Sequence, residues 1–191
     1  MMQSMLSTRT LASRRPFNGQ ILQVRVDTIQ LGDHAPVERE IVEHPGSIVL
    51  VPVTERSTVL LVRQWRHPVR EALLEAPAGH IDPGEAPEAA AQRELQEETG
   101  FRAARLLKLS EFWIAPGWCT EYMYAYLATG LSPSRLAQDV DEDVQVVETA
   151  LAEIPELIRT GVLKDNKSIS ALLIAAHIYR DQLSDPTKRS A

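Results

Sequence analysis

The sequence predicts an α/β fold in which helices pack on a mixed sheet. Three observations support it. Short apolar or alternating runs typical of strands recur from residue 20 to residue 147, a helical pattern spans residues 86–99, and a second helical pattern ends near residue 183. Helices placed before and after such strands indicate a layered α/β domain. A chain of 191 residues is ordinarily one domain and is long enough to bury a core.

The first part of the chain predicts a small β section. Residues 20–29 and 37–43 are typical of strands, and residues 31–36 contain the Gly, Asp and Pro of a turn. We expect residues 1–16 to be a flexible N-terminus and residues 17–45 to form an N-terminal β-hairpin section. Residues 1–26 contain four arginines and no acid, a composition that also occurs in transit peptides, and a frayed terminus is the favoured interpretation.

The next elements predict the sheet of the main domain. Residues 47–53 and 58–64 are β-rich runs split by a polar stretch, and they predict a central hairpin. Residues 73–76 predict a short strand that leads into the loop at 77–79. Further along, the patterns predict strands at 112–114, 123–128 and 144–147 and a short helix at 154–159.

The first long helix is predicted from about Ala86 to Thr99. Pro87 lies in its first turn, where a missing N–H costs no hydrogen bond. Gly100 stands where a left-handed C-terminal cap is required. The buried face of this helix is predicted to consist of Ala90, Ala91 and Leu95.

The last helix is predicted to begin after a cap at Asp165 or Ser168 and to end near Leu183. We expect it to close a domain of residues 46–185, with a tail at 186–191. Its inward face is predicted from the apolar periodicity to be Ile169, Leu172, Leu173, Ala176 and Ile178.

Composition limits the partners of the protein. A net charge of −6 argues against general nucleic-acid binding, although a bound metal ion would still permit an anionic substrate. No apolar run approaches the length of a membrane span. The single cysteine, Cys119, excludes an internal disulfide and fits a reducing compartment, and we therefore expect a cytoplasmic location.

Three carboxylates on the first long helix predict a metal site. Glu94, Glu97 and Glu98 are spaced i, i+3 and i+4, which brings them onto one face. Acids crowded in this way repel each other unless a cation lies between them, and Mg²⁺ or Mn²⁺ takes oxygen ligands of this kind. The alternative is an alanine- and glutamate-rich helix with a solvated acidic face.

The segment around these acids resembles the Nudix box, Gly-x5-Glu-x7-Arg-Glu-U-x-Glu-Glu-x-Gly-U, where U is a bulky apolar residue. The resemblance implies the α/β/α Nudix sandwich and Mg²⁺-dependent hydrolysis of a diphosphate bond, with Mn²⁺ as the other candidate ion. Its fixed positions are filled by Gly79, Glu85, Arg93, Glu94, Leu95, Glu97, Glu98, Gly100 and Phe101.

The resemblance also implies roles for these residues. Glu94 and Glu98 are the expected direct metal ligands, Glu97 ligates directly or through water, and the carbonyl of Ala78 is a further ligand. Gly79 lets the backbone come close to the bound ligand. The expected catalytic residues are Glu97, Arg93 and Glu85, of which the last two form an ion pair, and a general base.

The general base is expected in the acidic loop at 139–143. Glu142 fits the Asp-Glu-x-hydrophobic pattern of relatives best, and Asp141 is the neighbouring alternative. Val140 stands where some relatives carry their catalytic glutamate, so the resemblance implies the loop and leaves open which of its acids is the base.

Residues outside the box resemble those of ADP-ribose pyrophosphatases. Pro116 lies 16 residues after Gly100, the offset of their marker proline, and Glu121 belongs to the same loop. The resemblance implies cleavage of ADP-ribose to AMP and ribose 5-phosphate. The alternatives are another nucleoside diphosphate derivative, such as a nucleotide sugar or FAD, or a regulator that binds ADP-ribose without cleaving it.

Two further segments strengthen this resemblance. Arg39 and Glu40 resemble the Arg–Glu pair that relatives use near adenine and ribose, and Arg63 resembles the arginine that meets phosphate. A guanidinium suits phosphate because it forms bidentate hydrogen bonds. The resemblance also implies a homodimer in which residues 17–45 are exchanged between subunits.

Overall fold

The computed structural model describes residues 8–137 and 143–184, with side chains as far as residue 178. Its contacts form two compact units. The N-terminal unit consists of Met1–Gly46 and Trp113–Tyr122, and the main unit consists of Ser47–Phe112 and Met123–Ala191. Each unit is described by itself below.

The N-terminal unit contains an antiparallel sheet in the order β1-β2-β3. Strand β2 (Gln23–Gln30) and strand β3 (Val37–Glu43) confirm the two predicted strands and the turn between them. Strand β1 (Arg9–Asn18) was not predicted. The expected flexible N-terminus at 1–16 is therefore wrong for residues 9–16, which belong to a strand.

Polar contacts explain why β1 forms without an apolar pattern. Its Ser13 Oγ donates a 2.6 Å hydrogen bond to Asp27 Oδ1 on β2. Arg15 Nε lies 3.0 Å from Glu43 Oε2 on β3. These contacts, added to backbone pairing with β2, hold a strand that is exposed at every position. Apolar periodicity, which is the main sequence signal for strands, does not detect a strand of this kind.

The main unit contains two sheets. The first has the order β7-β4-β9-β8, and within it β4 and β9 run parallel while β4 and β7 run antiparallel. The second has the antiparallel order β10-β5-β6. The α/β class with a mixed sheet is thus confirmed. The strands are β4 (Ser47–Pro52), β5 (Thr58–Arg66), β6 (Glu71–Glu75), β7 (Ala78–His80), β8 (Phe101–Trp113), β9 (Tyr122–Pro133) and β10 (Val144–Ala150).

The predicted central hairpin of β4 and β5 is wrong. The two strands are present, but they lie in different sheets and share only an isolated bridge between Val53 and Val59. A strand has two edges for pairing. Both edges of β4 are occupied, by β7 and by β9, and every residue of β4 is buried. The chain therefore turns at residues 54–57 and starts a second sheet.

Three helices accompany the sheets. Helix α1 (Pro87–Glu94) continues into a π-helical turn (Leu95–Thr99), so the predicted span is confirmed, with a wider last turn. Gly100 ends this helix with a φ of 77°, in the left-handed region, as predicted. Helix α2 (Ile154–Arg159) follows the short 3₁₀ turn Leu151–Glu153. Helix α3 (Asn166–Ser184) is the last element.

Helix α1 is held against the first sheet by small side chains. Ala90, Ala91 and Leu95 are fully buried, which confirms the predicted face, and they pack with Ile48 and Leu50 of β4. Because alanines keep the helix close to the sheet, the acids on its other positions are fixed relative to β4 and β7.

Of the five residues predicted to face inward on α3, only Leu172 is buried, while Ile169, Ala176 and Ile178 are partly buried and Leu173 is exposed. Ser168, Ala171, Leu172 and Ala175 are buried and follow the i, i+3, i+4, i+7 pattern, whereas Leu173 is 48% exposed. The cap is Asp165, whose Oδ2 accepts a 3.0 Å hydrogen bond from the Ser168 N–H. Within the described part of the chain, no helix has the length and apolar character required to span a membrane.

Neighbouring leucines of α3 should therefore respond differently to truncation. Leu172→Ala removes a side chain that is 1% exposed and should lower the free energy of unfolding by about 2–5 kcal/mol. Leu173→Ala serves as the control and should change it by about 0.5 kcal/mol or less. Urea denaturation measures both values, and equal losses would contradict the assigned face.

Candidate metal and active site

Glu98 lies in the wide last turn of the helix and is almost inaccessible, at 1% exposure. Its Oε2 accepts a 3.0 Å hydrogen bond from the backbone N–H of Ala78. This bond joins the end of the helix to the start of β7. It therefore brings the Glu98 carboxylate next to the Ala78 backbone, which the sequence analysis expected to supply a carbonyl ligand.

Gly79 is required by the close approach of Glu94. A Cβ added to Gly79 would lie 2.0 Å from Glu94 Oε1 and 2.0 Å from its Cδ, a separation that atoms cannot adopt. Any other residue at this position would displace the carboxylate. Gly79 thus creates the space in which Glu94 lies against the backbone of β7.

Arg93 connects three acids of the site. Its Nε and Nη2 lie 3.1 Å and 2.9 Å from the two oxygens of Glu85, which is the expected ion pair. Its Nη1 also lies 2.7 Å from Glu94 Oε1 and 3.1 Å from Glu97 Oε2. The sequence analysis missed these two contacts, although the i, i+4 spacing of Arg93 and Glu97 favours one of them. Arg93 thereby reduces the repulsion between the acids.

The ion pair between Glu85 and Arg93 changes the pKa of both groups. Hydrogen bonding to Arg93, opposed by partial burial, lowers the pKa of Glu85 below its ordinary value. The same bond raises the pKa of Arg93 further above its usual range. Both groups therefore stay ionised at neutral pH, and the ion pair joins the loop at residue 85 to α1.

The chemistry of the donors fits a hard divalent cation. Glu94, Glu97 and Glu98 offer carboxylate oxygens, and Ala78 offers a backbone carbonyl, which is the ligand set that Mg²⁺ and Mn²⁺ prefer. In the described ranges 8–137 and 143–184, no three acidic, histidine or cysteine side chains already converge as a metal cluster. Arg93 contacts Glu94 and Glu97. A carboxylate oxygen has more than one acceptor position, so these bonds do not prevent ligation.

Arg63 lies in the main unit but apart from this network of bonds. It is exposed on β5, opposite Gln145 of β10 and Leu74 of β6. Strand β10 begins at Val144, opposite Gln64, so the chain that follows the acidic loop enters the sheet beside Arg63. Glu142 and Asp141, the expected general base and its alternative, lie outside the described residues.

Four expected substrate residues belong to the N-terminal unit. Arg39 and Glu40 are exposed on β3. Pro116 lies in a turn in which the N–H groups of Trp118 and Cys119 donate to the carbonyl of Ala115. The fourth of these expected residues, Glu121, lies in the same loop as Pro116.

The Pro116 turn is attached to the strand that carries Arg39 and Glu40. The N–H of Val42 donates to the carbonyl of Trp118 at 2.8 Å, and the N–H of Thr120 donates to the carbonyl of Val42 at 2.9 Å. These bonds bring the loop and β3 together within the N-terminal unit. Two segments that are far apart in the sequence thus form one surface.

One pair of charged residues near the box was not anticipated by the sequence analysis. Glu75 is 1% exposed at the end of β6, and Arg66 of β5 binds both of its oxygens at 2.9 Å and 2.8 Å. The available signal was a glutamate within the apolar run at 73–76, because an acid at a core position needs a cationic partner.

Comparison with known proteins agrees with the geometry. The family description "NUDIX domain" matches residues 43–172. The ADP-ribose pyrophosphatase of Bacillus subtilis (strain 168) is 34% identical over 169 residues, which cover 87% of this chain and 91% of that protein. The methanol dehydrogenase activator of Bacillus methanolicus is 32% identical over 173 residues, which cover 90% of this chain and 94% of that protein.

A solved structure shows the same fold. The crystal structure of an ADP compounds hydrolase superposes with a TM-score of 0.86 at 24% sequence identity, and the match covers 94% of this chain and 98% of that one. The match spans nearly the whole length of both chains.

The lowered pKa of Glu85 predicts a pH dependence of stability. The unfolded chain takes up a proton near the ordinary pKa of 4.5, whereas the folded chain takes it up at lower pH. The ion pair therefore stabilises the fold above that pH and loses its effect as the pH falls through the folded value.

Urea denaturation of the wild type and of Glu85→Gln from about pH 7 to about pH 3 tests this dependence. The wild type should lose more stability over this range than the variant. Identical curves, offset by a constant, would show that Glu85 does not titrate in the stated direction.

Proposed function

Because this chain belongs to the Nudix family, we propose that it hydrolyses the diphosphate bond of ADP-ribose, giving AMP and ribose 5-phosphate, with Mg²⁺ as the required ion. The single observation that carries the reaction class is the complete box, in which Glu98 is held by Ala78 and Glu94 lies against Gly79. The choice of substrate is supported by the similarity to the Bacillus subtilis ADP-ribose pyrophosphatase.

The metal would be held by Glu94, Glu98, the carbonyl of Ala78 and Glu97, the last directly or through water. When bound, Mg²⁺ neutralises charge on the diphosphate and lowers the pKa of a coordinated water, and Mn²⁺ can supply the same chemistry. The positions of Glu98 and Glu94 against neighbouring residues of β7 support this choice of ligands.

Arg93 and Glu85 serve the reaction by orienting the carboxylates of the box. Arg93 contacts both Glu94 and Glu97, and Glu85 in turn holds the guanidinium by two bonds. This arrangement limits the movement of the Glu94 and Glu97 carboxylates. The arginine itself remains protonated and takes no part in proton transfer.

The other residues bind the substrate and accept a proton. Arg63 is exposed and suited to a bidentate contact with phosphate, and Glu142 takes the proton of the attacking water. Gly79 allows the diphosphate to approach the backbone. Arg39 and Glu40 are proposed to bind near adenine and ribose, and Pro116 and Glu121 are proposed as further substrate-binding residues.

The experiment that tests this function is the hydrolysis of a panel of compounds with Mg²⁺ and with Mn²⁺. The panel consists of ADP-ribose, ADP-glucose, GDP-mannose, NADH and FAD, with products separated by chromatography. Dominant conversion of ADP-ribose to AMP supports the proposal. Preference for another compound would be compatible with the proposed chemistry of the box but would show that ADP-ribose is not the main substrate. Binding of ADP-ribose without turnover would indicate a regulator.

Removing one ligand charge should abolish most of this activity. In Glu98→Gln the side-chain oxygen still accepts the Ala78 N–H, so the fold is retained, but the charge that attracts the cation is lost. We expect kcat to fall by about a hundredfold or more, because loss of a metal ligand lowers both affinity and rate.

Glu88→Gln provides the matched control for this variant. Glu88 occupies a variable position of the box on the same helix, is exposed, and accepts a 3.1 Å hydrogen bond from the Tyr126 hydroxyl. The Glu88→Gln variant makes the same change of charge as Glu98→Gln and should keep a near-normal rate. Full activity of Glu98→Gln under the same conditions would remove Glu98 from the metal site.

We further propose that the protein is a homodimer formed through residues 17–45 and the adjoining β1. Strand β1 lies at the edge of its sheet and is exposed at all ten positions. The unpaired backbone N–H and C=O groups of an exposed edge strand can pair with another chain. Light scattering should give twice the mass of one chain, and a monomeric mass with full activity would contradict the proposal.

A further inference from the structure

A buried ionic cluster lies beside the box in the main unit. The carboxylate of Glu75 is 1% exposed and is bound by Arg66 and by the ammonium group of Lys167. Burial raises the pKa of Glu75, but the two cations outweigh burial and lower it overall. A buried acid is tolerated only when it is paired in this way. The residues of the cluster come from β5, β6 and the start of α3.

The first turn of α3 also binds the residue that follows Glu75. The hydroxyl of Ser168, which is fully buried, accepts a 2.7 Å hydrogen bond from the N–H of Ala76 and donates to Asp165. Asp165 Oδ2 lies 3.0 Å from Lys167 Nζ as well. The start of α3 therefore holds two consecutive residues, Glu75 and Ala76, shortly before the box begins at Gly79.

The three residues that follow Ala76 each contact a different part of the main unit. The carbonyl of Pro77 accepts a 2.8 Å hydrogen bond from the N–H of Leu50 on β4. Ala78 donates its N–H to Glu98, and Gly79 lies against Glu94. We call residues 75–80 the box strap. Its position is determined at one end by α3 and at the other by the acids of the box.

We propose that Lys167 is a positioning residue for the metal site, acting through Glu75 and the box strap on the Ala78 backbone and on Glu98. The inference rests on the proposed function, since it assigns Lys167 an effect on the divalent cation that Ala78 and Glu98 would hold. Without its cation, Glu75 would be a partly unpaired buried acid, and the strap would shift to give it access to water.

A second lysine near the start of α3 serves as a control. It distinguishes the positioning of the box strap from general stabilisation of the surface. Lys164 binds Glu71 at 2.6 Å, and Glu71 belongs to the same strand as Glu75. The Lys164 and Glu71 side chains are 46% and 51% exposed, whereas those of Lys167 and Glu75 are 15% and 1% exposed. The exposed pair contributes little to stability and does not reach the strap.

The test compares Lys167→Met, Lys167→Arg and the control Lys164→Met. Mn²⁺ affinity is measured by electron paramagnetic resonance without substrate, and the Mg²⁺ concentration for half-maximal hydrolysis is measured separately. Lys167→Met should bind Mn²⁺ about tenfold more weakly, as expected for a residue that orients metal ligands. Lys167→Arg should recover most of the affinity, and Lys164→Met should match the wild type.

Wild-type Mn²⁺ affinity in Lys167→Met would overturn the inference, as would an equal loss in Lys164→Met. The substitution Ser168→Ala tests the same inference in a second way, because it leaves every charged side chain in place. It removes the acceptor for the Ala76 N–H and the hydroxyl that donates to Asp165. It should fold, as checked by circular dichroism, and it should also weaken Mn²⁺ binding. If Lys167→Met does not fold, unchanged Mn²⁺ affinity in Ser168→Ala overturns the inference.

The two proposals fail in different ways. A wild type that binds Mn²⁺ but hydrolyses no compound of the panel would contradict the proposed reaction. The role of Lys167 would still be judged by Mn²⁺ affinity alone, because that measurement requires no turnover.

Discussion

The repulsion between acids on two turns of one helix is the constraint on which the site depends. Glu94, Glu97 and Glu98 share a face, and the cost of crowding them has to be offset by positive groups nearby. The protein uses the guanidinium of Arg93 for the first two and a backbone N–H for Glu98. These contacts reduce the repulsion between the three carboxylates within the folded chain.

The remaining architecture keeps those compensating groups in place. Buried alanines hold α1 against β4, and β4 has both edges paired, so the helix and β7 cannot move independently of the sheet. Gly79 then admits the Glu94 carboxylate at a distance that no side chain would permit. The box strap connects this region to α3 through Glu75. A local repulsion is in this way balanced by contacts from several elements.

Local patterns were sufficient to predict much of this structure. The span of the box helix, its buried alanines, its glycine cap and the pairing of Arg93 with Glu85 all follow from residues within two turns of each other. Strands β2, β3 and β10 and helix α2 follow from periodicity in the same manner. Each of these features is determined by spacing along the chain, which is visible in a single sequence.

Features that depend on distant partners were not predictable. The periodicity of residues 47–53 and 58–64 identified strands, but it could not show that β9 would occupy the edge of β4 expected for β5. Strand β1 forms by polar pairing, and the buried face of α3 is one residue out of register with the face predicted from its apolar periodicity. Lys167 and Glu75 are separated by 92 residues, so no local pattern relates them. Glu142 lies beyond the described residues and stays a prediction.

The most direct test of this account is to locate the cation. Crystals grown with Mn²⁺ and a non-hydrolysable ADP-ribose analogue would reveal the ion by its anomalous scattering. The account predicts an ion about 2.1 Å from oxygens of Glu94 and Glu98 and from the carbonyl of Ala78, in contact with the diphosphate. An ion bound elsewhere, with Arg93 still bonded to Glu94 and Glu97 beside an ordered analogue, would contradict it.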